Sequence, residues 1–267
     1  MDRKTEQKPT PVFAEPTMVF VDFSNPFLRR YLESTFVSEH EERMADILEQ
    51  LPGWVETFGE AEKERGEPRP LAVVLDIDEV LLSNIHMNSH GDFHAADYFT
   101  RGDNDAPWPR DEKRLNPLLP GARALLKMIL ALDVEVFFLT GRSESIRDET
   151  IENFQFVGLV EDTPDENWRP VEPPLFSAED FSLRLIMRPV AVADPVAAAD
   201  PVSVAASVAT TAAAANPTET VAAYKTARRR KIESTHRIIA NVGDQVSDLG
   251  LYGDIQVHMP HPFYWTE

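Results

Sequence analysis

The chain of 267 residues contains no cysteine. That excludes disulfides, thiol nucleophiles and cysteine-ligated zinc. Positive charge is also scarce: 26 Lys and Arg face 45 Asp and Glu, a net charge of −19. Such a surface repels DNA, RNA and anionic membranes, because nucleic-acid affinity rests on neutralising phosphates. No nucleic-acid and no membrane partner is expected, and an anionic small substrate would need a local positive site or a bound cation. Long apolar runs are missing as well. No stretch could span a bilayer, and the opening MDRKTEQKPTPVF lacks the apolar core of a signal peptide. The expectation is a soluble cytoplasmic protein, one sizeable domain with additions.

What is present centres on Leu71 to Leu82, reading LAVVLDIDEVLL. Five apolar residues suit a strand buried on both faces, as in a parallel sheet. Residues two apart in an extended segment point the same way, so Asp76 and Asp78 share one side while Ile77 turns back toward the core. Ligands of open α/β sheets bind at that carboxyl end. Two adjacent carboxylates there repel unless a proton or a cation intervenes, so the pair calls for a metal or for acid–base work. Alone the signal is weak, since Asp-x-Asp arises by chance about once in a chain of this size.

The rest of the chain strengthens it. Residues 1–24 read as a polar, extended or disordered lead. Asn25-Pro26 makes a helix start, and Phe27, Leu28, Tyr31, Leu32, Met44, Ile47, Leu48 and Leu51 recur at helical spacing. Residues 25–70 are therefore a helical N-terminal extension, one or two helices to Leu51 and another past Trp54. The arm packs on the main domain; an oligomer contact is the alternative. A helix follows Pro120-Gly121, then a strand Val134–Leu139 ending in Thr140-Gly141-Arg142. Ser145 and Asp148 suggest a capping box for a helix to Phe156. Leu183–Met187, Arg237–Val242 and Ile255–Met259 read as further strands. Strands alternating with helices indicate a parallel sheet covered on both faces. Residues 189–217, rich in Ala, Val and Pro, read as a low-complexity mobile insertion. A helix resumes near Thr218 and carries Tyr224, Lys225 and the run Arg228–Lys231, taken as a solvated face.

Four features could serve one site: Asp76/Asp78, Thr140-Gly141-Arg142, Lys225, and Asp244/Asp248. Three lie at strand carboxyl ends, along one edge of a parallel sheet. Oxygen ligands without His or Cys suit Mg²⁺. A hydroxyl, a backbone N–H and a lysine around it would suit a phosphoryl group. Asp248 as a simple helix cap is the plainer alternative. Residues His86, His90, Asp92, His94 and Asp97 invite a second metal, but their spacing fits no helix face, and a substrate-lining loop or plain surface is preferred.

The texts VVLDIDEVLLSN, LPGARALLKMILALDVEVFFLTGRSESIRDETIENF, LRLIMRP, YKTARRRKIE and RIIANVGDQVSDL resemble, in order, the haloacid dehalogenase (HAD) superfamily. They are closest to its acid phosphatase branch, with plant vegetative storage proteins and bacterial acid phosphatases. The resemblance covers most of residues 71–264, and residues 1–70 contribute little to it. It implies an α/β, Rossmann-like fold with a small cap at residues 84–119. It implies Mg²⁺-dependent hydrolysis of small phosphate monoesters. Asp76 would be the nucleophile that forms an aspartyl-phosphate, and Asp78 the general acid and then base. Thr140, Gly141 and Lys225 would bind phosphate, and Arg142 would reach the substrate. Asp76, the Asp78 carbonyl, Asp244 and Asp248 would hold the metal. Val80 stands where many relatives carry Thr. A storage or binding protein with little catalysis is one alternative, and a phosphotransferase to an alcohol is another.

Overall fold

The computed structural model describes residues 35–83, 116–161, 172–189 and 220–261. The lead at 1–24, the helix start at Asn25-Pro26, the His/Asp group at 86–97 and nearly all of the 189–217 insertion lie outside the described residues. So does the cap-like stretch apart from its last four residues.

The first helix among the described residues, α1, runs Val37–Lys63 without interruption, where two or three shorter helices were expected. Pro52 lies inside it. An interior proline removes one helical hydrogen bond and costs about 3 kcal/mol. The burial of Met44, Ile47 and Leu51 on one stripe offsets it, each side chain giving about 1.5–3 kcal/mol. Strand β1 is Leu71–Leu75, as expected. Helix α2 (Ala122–Ala131) leads to β2 (Glu135–Ser143), α3 (Arg147–Phe156) and a short helix α4 (Ala178–Arg184) that the sequence reading did not anticipate. Strand β3 (Leu185–Arg188) follows α4 directly, so the strand read at Leu183–Met187 begins two residues late. Helix α5 (Val221–Glu233) precedes β4 (Arg237–Gly243) and β5 (Ile255–His258).

The strands form one sheet in the order β3-β2-β1-β4-β5, every pair parallel. Parallel neighbours need crossover connections, and the helices that make them cover both faces. Alternation along β1 sends Val73 and Leu75 into the larger core with Met44, Leu126 and Phe154. It sends Ala72 and Val74 to the other face, against Tyr224 and Ile232 of α5. Four phenylalanines weld α3 and α4 to β2. Phe154 and Phe181 lie 4.5 Å apart, and Phe138 lies 4.9 Å from Phe181 and 5.7 Å from Phe176. At the amino edge of the sheet, buried Glu62 gathers Arg65, Arg69 and Arg237, tying the end of α1 to β1 and β4.

Helix α1 is part of this core rather than an appendage. Gly121, left-handed at φ 81°, lets α2 approach so closely that an added Cβ would lie 2.8 Å from Met44 Cβ. His40 is fully buried, its Nε2 3.1 Å from the Val80 carbonyl oxygen. Burial holds its pKa below the ordinary histidine value of 6.5, against the raising effect of the Val80 and Pro120 carbonyls. The unfolded chain therefore binds a proton there first, and folding stability falls as pH drops below about 6.5. The expected result is a slope of stability with pH between 5 and 7 that is shallower in His40→Gln, by at most ~1.4 kcal/mol per pH unit. Identical slopes in thermal unfolding would show that His40 does not titrate against folding. No helix among the described residues is long and apolar enough to cross a membrane.

Candidate active site

Strand β1 delivers Asp76 to the carboxyl edge of the sheet, where its N–H donates to the Val242 carbonyl at 2.9 Å and so prolongs the pairing with β4. Ile77 then turns back into the core, fully buried, as the alternation predicts. A tight turn follows. The Leu81 and Leu82 N–H groups both donate to the Ile77 carbonyl, at 2.9 and 3.0 Å, and Glu79 N donates to Leu82 O at 2.8 Å. Glu79 takes a left-handed φ of 55° to close it. Such a conformation costs a non-glycine residue about 1–2 kcal/mol. The result sets Asp78 beside Asp76 at the edge.

Oxygens of Asp76, Asp244 and Asp248, all buried, lie within 4.8 Å of one another. Asp244 comes directly off β4, and Asp248 ends the 3₁₀ turn Val246–Asp248. Gly243 permits this return: a Cβ there would sit 2.0 Å from Asp248 Cβ, a space that no side chain can share. Gly243→Ala is expected to displace the Asp248 loop and weaken divalent-metal binding at least tenfold, which calorimetric titration would read. Overpacking of this kind costs about 1–3 kcal/mol. Asp248 does cap its turn, accepting from Gln245 N at 3.0 Å through Oδ2, while Oδ1 takes the Lys225 ammonium. The helix-cap reading of Asp248 holds for one oxygen, and the other pairs with Lys225.

Lys225 projects from the buried face of α5 and lies 3.1 Å from Asp76 Oδ1. This contact lacks the alignment of a hydrogen bond, so Asp76 Oδ1 is a buried oxygen without a hydrogen-bond partner among the described residues. Burial pushes the Asp76 pKa well above the usual carboxylate range, with Asp248, Asp244 and Asp78 adding to it and Lys225 opposing. Burial also raises Asp248, again against Lys225. Burial disfavours the Lys225 ammonium, yet Asp248 and Asp76 outweigh it and hold its pKa above the ordinary lysine value. One lysine thus faces three carboxylates, a cluster short of positive charge.

Thr140, Gly141 and Arg142 lie inside β2 rather than in a turn beyond it, at the irregularity in pairing between Leu139 and Ser143. Thr140 Oγ1 accepts from Arg142 N at 3.1 Å. A hydroxyl that accepts there keeps its proton for another partner. The Arg142 side chain, 4% exposed, does not extend outward but lies against Asp78: Nη2 donates to Oδ1 at 2.6 Å, and Nε donates to Oδ2 at 3.0 Å. The cap of the following turn is Ser143, accepting from Ser145 N, and not a box of Ser145 with Asp148.

Sequence reasoning missed several supporting side chains. Arg229, inside the run taken as a solvated face, is 1% exposed and donates to the Asp248 and Ser247 carbonyls at 3.0 and 2.5 Å. It stands four residues after Lys225, the spacing that places two side chains on one helix face, so the signal was present. His261 Nε2 lies 2.8 Å from Asp244 Oδ2, and His258 Nε2 lies 2.9 Å from the Asp244 carbonyl oxygen. Both follow β4 in sequence and return only through the pairing of β5.

The model of the HAD superfamily, subfamily IIIB (Acid phosphatase), matches residues 45–170. The match starts within α1, upstream of residue 71 where the resemblance was read to begin. Acid phosphatase 1 of Solanum lycopersicum is 27% identical over 196 residues, which are 72% of this chain and 58% of that protein. The class C acid phosphatase from Bacillus anthracis superposes with a TM-score of 0.51 at 16% identity, covering 91% of this chain and 85% of that one. The same enzyme with tungstate bound gives 0.50 at 17% identity. The likeness in structure carries the fold, and over part of its length the sequence is similar to the acid phosphatase branch of the HAD superfamily.

Proposed function

We propose that the chain is a Mg²⁺-dependent phosphomonoesterase working through an aspartyl-phosphate on Asp76. The observation that carries this reading is the buried cluster of Asp76, Asp244 and Asp248, with the Lys225 ammonium paired to Asp76 and Asp248. The donor set fits a hard divalent ion: three carboxylates, a buried oxygen on Asp76 that no hydrogen bond among the described residues satisfies, and raised proton affinity at Asp76 and Asp248. Asp76, Asp244, Asp248 and the Asp78 carbonyl would hold it. When bound, the ion would offset negative charge so that an anionic ester could approach the Asp76 carboxylate.

In the first step a carboxylate oxygen of Asp76 attacks phosphorus, and Asp78 gives its proton to the departing ester oxygen. Thr140 donates its hydroxyl proton to a phosphate oxygen, and Lys225 balances charge on both Asp76 and the phosphoryl group. In the second step Asp78 takes a proton from water, which attacks phosphorus and frees Asp76. The tungstate in the Bacillus anthracis structure is an oxyanion on the same fold, which supports a phosphoryl site. Activity is expected to decline on both acid and alkaline sides, since Asp76 must be ionised while Asp78 carries a proton.

Release of phosphate from phenyl phosphate, in Mg²⁺ and in EDTA, tests the reading. Turnover that requires Mg²⁺ is expected. Equal turnover in EDTA, or none by folded, metal-supplied protein, would contradict it. Metal binding also carries a sign in pH. Asp76 and Asp248 bind protons more tightly than free carboxylates, so protons compete with the ion. The rise in unfolding temperature on adding Mg²⁺ is therefore expected to be larger at pH 7 than at pH 5.

A further inference from the structure

We infer that Arg142, held in place by Thr150, is a positioning residue that aligns the Asp78 carboxyl for proton transfer to the leaving group, rather than a substrate-phosphate ligand. The inference rests on the phosphatase reading above and assigns a role within it. Arg142 lies in β2 and Asp78 in the turn after its neighbour β1, 64 residues apart in sequence. The guanidinium meets the carboxyl side-on, with Nη2 to Oδ1 at 2.6 Å and Nε to Oδ2 at 3.0 Å and to Oδ1 at 3.2 Å. Two parallel donors in one rigid plane fix the carboxyl plane as well as its place, which a lysine ammonium cannot do.

The guanidinium is itself braced. Nη1 donates to Thr150 Oγ1 at 3.3 Å, and the Thr150 hydroxyl donates to the Ile146 carbonyl at 2.8 Å. Thr150 is 1% exposed on the first turn of α3 and Arg142 is 4% exposed, so the two side chains that link the helix backbone to Asp78 are both buried. To reach a phosphate, Arg142 would have to leave both partners from a position 4% exposed. A general acid acts only within hydrogen-bond reach of the departing oxygen and in line with it, so a carboxyl free to rotate would be a poorer donor.

The distinguishing property of leaving-group protonation is that it matters for poor leaving groups and little for good ones. The test compares dinitrophenyl phosphate, which departs unaided, with phenyl phosphate, for wild type, Thr150→Val, Thr150→Ser and Arg142→Lys. In Thr150→Val and Arg142→Lys, kcat/KM for phenyl phosphate is expected to fall roughly tenfold or more beyond any fall for dinitrophenyl phosphate. KM should stay close to wild type, and Thr150→Ser, which restores the hydroxyl, should keep the wild-type ratio. Equal losses on both substrates, or a rise in KM as the main effect, would overturn the positioning role. Failure of the wild type to turn over either substrate would instead remove the phosphatase reading, and this inference with it.

Discussion

Asp76→Asn is expected to lower phosphatase turnover by about 10⁴-fold or more, the scale seen when a covalent nucleophile is removed from an otherwise intact site. Asparagine keeps the shape of the side chain but cannot form an acyl phosphate. The same substitution is expected to raise the unfolding temperature of the metal-free protein at neutral pH. Burial first, and then Asp248, disfavour the ionised form of Asp76 in the folded state, and Lys225 only partly compensates. A neutral isostere removes that conflict. The sign follows by linkage: a carboxyl whose pKa is raised on folding contributes stability at low pH and loses it as pH rises through and above the usual carboxylate range. Loss of activity with a gain in stability separates a reactive group from a structural one. Loss of both would mark Asp76 as part of the scaffold. Phosphate release and calorimetric unfolding on the same preparation would read the two quantities.

Lys225→Met is expected to fail in the opposite manner, losing stability along with rate. The ammonium lies against Asp76 and Asp248 in a site where all three are nearly solvent-free. Removing one partner of a buried ion network leaves uncompensated charge and costs about 3–5 kcal/mol. Without the lysine, Asp76 and Asp248 would bind protons more tightly still, so the deficit should be largest at neutral pH and shrink toward acid. On the proposed mechanism the lysine also balances charge on the phosphoryl group, and loss of a preorganised charge of that kind costs about 10²–10³ in kcat. Thermal unfolding at pH 5 and pH 7, with saturating Mg²⁺ and without, separates the contributions. A variant as stable as wild type at pH 7 would show that Lys225 is not balancing the cluster.

The parts of the fold legible in the sequence were those written by local pattern. Leu71–Leu75 is uniformly apolar because both faces of a central parallel strand are covered. The period of two then places Asp76 outward and Ile77 inward without reference to anything distant. The elements missed depended on contacts that no local pattern records. Helix α1 continues through Pro52 because its apolar stripe packs on α2 and the sheet on both sides of the proline. Ser143 rather than Ser145 caps the next turn because β2 runs on through Arg142, a consequence of the pairing with β3.

The site divides along the same line. Asp76, Lys225, Asp244 and Asp248 come together as strand ends and a crossover helix place them, and that convergence was readable from residue type and order. What surrounds them was not. The Arg142 guanidinium pairs with Asp78 rather than pointing outward because the paired strands β1 and β2 bring β2 and the turn after β1 to the same edge of the sheet. Arg229 was hidden among three neighbouring cations, and only the four-residue step from Lys225 distinguishes it from the exposed Arg230. His261 meets Asp244 because β5 pairs with β4, a register that neither segment announces.

The most direct test of covalent catalysis uses Asp78→Asn with dinitrophenyl phosphate. This substrate needs no acid to depart, but the variant lacks the base that activates water, so the phosphorylated enzyme should accumulate. Borohydride reduces an acyl phosphate to an alcohol and leaves a carboxylate untouched, and mass spectrometry of the peptides then locates the change. The account predicts reduction at Asp76 alone, dependent on substrate and Mg²⁺. Release of dinitrophenol with Asp76 unmodified, or reduction at a different carboxylate, would contradict it.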